Sequence, residues 1–121
     1  MKGADGEEGE VAVDPAQLPL IVGALDHPLR REVITVLRDG RQYVSELARR
    51  LKISRPLLYL HLERLEKAGL VSSSLELGTD GRAVKWYQLE PFDLRLTADA
   101  VAASVVSAQE TDPPAVADQT T

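Results

Sequence analysis

The chain has 121 residues, 44% of them hydrophobic, with 14 Lys+Arg against 19 Asp+Glu and a formal charge of −5. That length fits one domain, and a complete lack of cysteine excludes a disulfide framework, a thiolate zinc site and a cysteine nucleophile. Taken whole, the negative charge argues against a nucleic-acid binder, because phosphate repels it.

In chain order, residues 1–14 are Gly/Glu-rich and carry −4. They lack the apolar surface to offset ordering entropy and read as an acidic disordered tail. Leu18, Ile21, Val22 and Leu25 then recur at i, i+3, i+4, i+7, which predicts a helix over 16–25. Asp26-His27 breaks it, with His27 as a turn residue, and Pro28 suits the first turn of a helix over 28–38. Leu29, Val33, Val36 and Leu37 stripe that helix until Asp39-Gly40 stops it. Val44, Leu47, Ala48 and Leu51 repeat the spacing in a helix over 45–51, with Ser45 as its N-cap. Lys52-Ile53-Ser54 is a turn, and Ser54 caps a helix over 54–68 that carries Pro56 in its first turn. Leu58, Leu62 and Leu65 are its stripe, and Gly69 is the left-handed stop.

The period then changes to two. Strands over 70–77 and 82–89 flank the turn Gly78-Thr79-Asp80-Gly81 and form a hairpin, with Trp86 as a core residue. Pro91 ends the hairpin, and Phe92, Leu94 and Leu96 suggest a short third strand. Thr97 caps a last helix over 98–107, with Val101, Ala102 and Val105 on one face. Residues 108–121, Pro/Thr/Ala-rich and carrying −3, read as a second acidic disordered tail. The domain between the tails, 15–107, is therefore at +2, and residues 41–67 alone reach +4. No apolar run approaches a membrane span, so no membrane partner is expected. The acidic, glycine-rich start has no basic patch leading into an apolar stretch, and a cytoplasmic location is expected.

The fold class is thus mainly α with a small β-hairpin. Residues 45–69 place two short helices around a three-residue turn, a helix-turn-helix, with small Ala48 at the crossing. Leu47, Leu51, Leu58 and Leu62 hold the pair together, which frees the second helix to enter a major groove by its N-terminal turns. The hairpin that follows makes a wing, with Arg82 and Lys85 beside its tip. The whole is a winged helix-turn-helix.

Leu25-Asp26-His27-Pro28-Leu29-Arg30, Ser45-Glu46-Leu47-Ala48, His61-Leu62, Leu65, Ala68-Gly69-Leu70-Val71, Gly81-Arg82 and Tyr87-x-Leu89 stand in this order. In that pattern the chain resembles the ArsR-type winged helix-turn-helix transcriptional regulators over roughly residues 20–90. The resemblance implies a homodimer joined through its first and last helices that binds an operator and represses transcription. Leu18, Ile21, Val22, Leu25, Val101 and Val105 are the expected dimer residues. Many members sense metal through Cys-x-Cys at the start of the third helix, where this chain has Tyr43 and Ser45. A second family site uses Asp and His on the last helix, where this chain has Asp99 and no histidine. No metal and no cofactor is therefore expected, and the effector stays unassigned.

Arg55, Pro56, Tyr59 and Leu60 are the candidates for base or groove contact with double-stranded DNA. The plain alternative for the first three is a solvated face; for Leu60 it is a protein-binding surface. Ser45, Lys52, Ser54, Arg64, Arg82 and Lys85 are the candidates for phosphate contact. Arg41, Arg49 and Arg50 could join them, although such a run also serves as a solubilising surface. His61 reads as a packed or hydrogen-bonded neighbour of Leu62 rather than a metal ligand. Winged helices also serve as protein-interaction modules, and this is the competing function. An enzyme is not expected: there is no Gly-rich phosphate loop and no histidine with an evident triad partner, and Ser72-Ser73-Ser74 lies in a strand.

Overall fold

The computed structural model describes residues 14–111, so most of the expected tail 1–14 and residues 112–121 of the expected tail 108–121 lie outside the described residues. The described residues fall into two compact units, 20–92 and a second comprising 14–19 with 93–111. Five helices and a three-stranded antiparallel sheet appear among them: α1 Leu18–Leu25, α2 Pro28–Arg38, β1 Gln42–Tyr43, α3 Val44–Leu51, α4 Arg55–Lys67, β2 Val71–Leu77, β3 Ala83–Leu89 and α5 Ala98–Thr111.

Helix α1 begins two residues later than the sequence pattern predicts. Asp14 closes a turn instead, its carbonyl accepting from Gln17 N at 2.8 Å and its side chain from Ala16 N at 3.0 Å. Pro19 has no N–H to give to residue 15, so it fits only in the first turn of a helix. Helix α2 has the predicted bounds. Pro28 opens it, and His27 is its N-cap, with Nδ1 accepting from Leu29 N at 3.1 Å.

Helix α3 starts at Val44, and Tyr43 rather than Ser45 is its N-cap. The cause is long-range: Tyr43 is held extended by pairing with Trp86, so β1 runs directly into the helix. Lys52 ends α3 in the left-handed conformation, φ 60°, which allows a tight turn into α4. At α4, Ser54 is the predicted N-cap, Oγ accepting from Leu57 N at 3.3 Å, with Pro56 in the first turn. Its far end is a Schellman motif. Leu70 N donates to Leu65 O at 3.0 Å and Gly69 N to Glu66 O at 2.9 Å, with Gly69 at φ 77°.

The sheet order is β1-β3-β2, with Val71 opposite Leu89 and Leu77 opposite Ala83. The third strand of the sheet is therefore β1, and the stretch around Phe92, Leu94 and Leu96 shows only a single bridge residue, Leu94, rather than a strand. Pro91 lacks the donor that would continue a ladder, and Gln42–Tyr43 already covers the free edge of β3. Val33, Leu37, Leu47, Leu58, Leu62, Leu65, Leu70 and Val71 are buried. The hairpin's core residue is Tyr87, which is fully buried, whereas Trp86 is only half-buried.

In the second unit, Thr97 caps α5 as predicted, Oγ1 accepting from Ala100 N at 3.0 Å. The helix runs to Thr111, four residues past its expected end, and so takes in residues 108–111 that the composition placed in the tail. No helix among the described residues is long and apolar enough to cross a membrane.

Candidate nucleic-acid interface

The helix-turn-helix exposes the N-terminal half of α4. Its inner face, Leu58, His61, Leu62 and Leu65, is buried. Arg55, Pro56, Leu57, Tyr59 and Leu60 remain exposed over the first two turns. The wing rises from β2 and β3 through a five-residue tip. Gly81 sits there at φ 83°, a conformation that favours glycine. Asp80 Oδ1 accepts from Arg82 N at 3.0 Å and fixes the return strand.

Between helix and wing lies an open cleft of about 580 Å³. Five sequence-predicted residues meet in it: Ser45 from the first turn of α3, Arg55 and Tyr59 from α4, and Arg82 and Lys85 from the wing. Tyr43, Leu75, Asp80 and Trp86 complete much of the lining. Pro56, Leu60, Lys52, Ser54 and Arg64 do not line it. Pro56 and Leu60 lie elsewhere on the exposed surface of α4, and Lys52 and Arg64 are exposed as well. Ser54 is already engaged as the α4 cap.

Pairing divides the cations into two sets. Arg49 and Arg50 both lean on Glu46, Arg49 Nε donating at 3.2 Å and Arg50 Nε lying 3.5 Å away, and the Arg49 bond holds the Glu46 carboxyl below its usual range. Arg41 forms a bidentate pair with Glu76 of β2, which lowers that carboxyl as well, and its guanidinium stacks 4.1 Å from the centre of the Trp86 ring. Tyr43 meets the same ring edge-on at 5.3 Å. By contrast, Lys52, Arg55, Arg64 and Arg82 form no side-chain hydrogen bond or ion pair among the described residues. Lys85 lies over Tyr87, Nζ 5.5 Å from the ring centre, and the Tyr87 hydroxyl keeps its ammonium charged above the ordinary lysine range.

Behind α4 lies a buried polar cluster. Arg30 Nε donates to Ala24 O at 2.7 Å and a terminal nitrogen donates to Gly23 O at 3.2 Å, both at the end of α1. Its other terminal nitrogen is 3.2 Å from His61 Nδ1 on α4. A guanidinium can only donate, so Nδ1 accepts and the imidazole proton sits on Nε2. Burial pushes His61 below the ordinary histidine range, and His27, Arg30 and Arg64 push the same way. The His27 ring lies 4.6 Å from it. Among the described residues no three His, Cys, Asp or Glu side chains converge as a metal set would require.

Two of these features escape a linear reading. Arg30 shares the α2 stripe with Val33 and Leu37 at i, i+3, i+7, and that spacing was the available signal for a buried arginine. Arg41 and Glu76 are 35 positions apart, and nothing local announces them. Of the six residues expected at a dimer face, Leu18 and Ile21 are buried, Leu25 is half-buried, and Val22, Val101 and Val105 are exposed.

Comparison with known proteins agrees with this architecture. The family model for bacterial regulatory proteins of the arsR family matches residues 27–73. An uncharacterised HTH-type transcriptional regulator of Methanocaldococcus jannaschii is 39% identical over 69 residues, covering 57% of this chain and 72% of that protein. The crystal structure of an ArsR family transcriptional regulator is similar at TM-score 0.56 and 31% identity, over 83% of this chain and 94% of its own. The homodimeric winged helix-turn-helix DNA-binding domain of a Mycobacterium bovis protein is similar in fold at TM-score 0.54 and 20% identity, over 79% of each chain. With the helix-turn-helix, the wing and these relatives in agreement, the chain belongs to the ArsR family of winged helix-turn-helix transcriptional regulators.

Proposed function

We propose that this regulator binds double-stranded DNA as a homodimer and represses transcription by occupying its operator. One observation carries the reading: among the described residues, the cations without a side-chain partner, Arg55, Arg64, Arg82 and Lys52, belong to α4, the turn before it and the wing. Arg55, Pro56, Tyr59 and Leu60 enter the major groove, where an arginine can pair bidentately with guanine. Ser45, Lys52, Ser54, Arg64, Arg82 and Lys85 contact phosphate. Exposed Val22 on α1, and Val101 and Val105 on α5, offer apolar surface to a second copy. The relative from Mycobacterium bovis, described as homodimeric, supports that assembly. A twofold dimer presents its two α4 helices to successive major grooves about 34 Å apart, and a dimer seated there blocks access to the promoter.

Mobility shifts on duplexes selected from a random library test this. The wild type is expected to bind, and Arg55→Ala with Tyr59→Ala to lose the operator while keeping its circular dichroism. Unchanged affinity in the double variant would overturn the assignment of α4. Failure to retain any duplex at low salt would favour a protein-interaction module instead. Sedimentation as a stable monomer at micromolar concentration would remove the dimer.

A further inference from the structure

Leu60 is 61% exposed, more than any other apolar residue of α4. At 3.6 residues per turn it stands about 160° around the helix from Leu58 and Leu62, which are fully buried. It therefore occupies the outward pole of the helix. Pro56 and Leu57, one turn earlier on the same side, are exposed too. A single exposed leucine is ordinary. An apolar pole with exposed Arg64 one turn further on the same side, in no ion pair among the described residues, is matched to an anionic partner with an apolar feature.

Over the first two turns the exposed residues are Arg55, Pro56, Leu57, Tyr59 and Leu60. Only Arg55 and Tyr59 can donate a hydrogen bond to a base edge. The rest must discriminate by apolar contact. The one methyl group that B-DNA presents in its major groove is the C5-methyl of thymine.

We propose that Leu60 is a specificity-determining residue that packs on a thymine methyl, so that each operator half-site carries a required thymine under the outward pole of α4. This rests on the DNA-binding reading above and names the chemistry that reading leaves open. Leu60 supplies apolar contact and no hydrogen bond, so the position discriminates by the methyl itself. Burying one methyl-sized group corresponds to about fourfold in affinity per half-site.

The test replaces thymine by deoxyuridine, one position at a time, in a duplex selected by the wild-type protein. Deoxyuridine keeps every hydrogen-bonding group and removes only the methyl. At one position per half-site, the substitution is expected to weaken wild-type binding about fourfold. Leu60→Ala, which changes both subunits of the dimer, is expected to bind the thymine duplex as weakly as the wild type binds a duplex with uracil at that position in both half-sites, and to be indifferent to the replacement. Arg55→Ala is expected to bind less tightly overall yet keep the thymine preference. Because Leu60 is exposed, Leu60→Ala is expected to keep the wild-type melting temperature. Uracil tolerated at every position, or a uracil penalty equal in wild type and Leu60→Ala, would overturn the role of Leu60 while leaving DNA binding intact. Operator affinity unchanged by Leu60→Ala would overturn it too. A library that yields no bound duplex would overturn the DNA-binding reading itself.

Discussion

The two faces of α4 are opposites in chemistry. Toward the core, His61 accepts from Arg30, and Arg30 also donates to the carbonyls of Gly23 and Ala24. Toward solvent, Arg55, Tyr59 and Leu60 make no comparable contacts. The inner-face residues are held by internal contacts, whereas the outer-face ones are not, which leaves them available to another molecule. Inner-face changes should therefore cost folding and outer-face changes should cost binding.

The sharpest separation is expected from Leu62→Ala. It removes a fully buried side chain and should destabilise the fold by about 2–5 kcal/mol in urea unfolding. Arg30→Ala comes next, because it strands the Ala24 carbonyl and the His61 acceptor, while the Gly23 carbonyl keeps Asp26 N; about 1–3 kcal/mol is expected from the same measurement. A loss from Arg30→Ala no larger than that of a surface change would break the contrast between the faces.

The outer-face counterpart, Arg55→Ala with Tyr59→Ala, should leave unfolding within about 0.5 kcal/mol of wild type. Its operator affinity should fall about tenfold or more in mobility shifts. Smaller still is the acid response of the inner face. The folded state holds His61 below its ordinary value of 6.5, so the unfolded chain takes up the proton first. The contribution is complete above that value and is lost as pH falls from it through the folded pKa. His61→Gln keeps an acceptor for Arg30 without a titration, and its unfolding free energy should vary less between pH 7 and pH 5.

Much of this was legible in the linear chain. Pro28, the Ser54 cap with Pro56, and Gly69 mark helix ends by local chemistry, and each sits where that chemistry requires. The leucine stripes of α4 gave its inner face, and therefore the outward position of Leu60. What stayed hidden depends on contacts distant in sequence. Two residues are too few to show a period, so β1 exists only because Tyr43 meets Trp86. That pairing moved the α3 cap from Ser45 to Tyr43 and made β1 the third strand, while Leu94 forms only a single bridge. The cation run over 41–67 looked uniform, yet Arg41, Arg49 and Arg50 are tied to carboxylates while Lys52, Arg55 and Arg64 are not. The overall charge of −5 carries none of this information.

The difference between paired and unpaired cations can be read directly from the salt dependence of operator binding. The logarithm of affinity should fall linearly with the logarithm of salt concentration, by about 0.9 for each phosphate neutralised. Arg82→Ala should make that slope shallower by about one for each side chain removed, while Arg49→Ala, whose guanidinium is held by Glu46, should leave it unchanged. Equal slope changes in the two variants, or a wild-type slope near zero, would contradict a DNA-binding surface built from the unpaired cations of α4 and the wing.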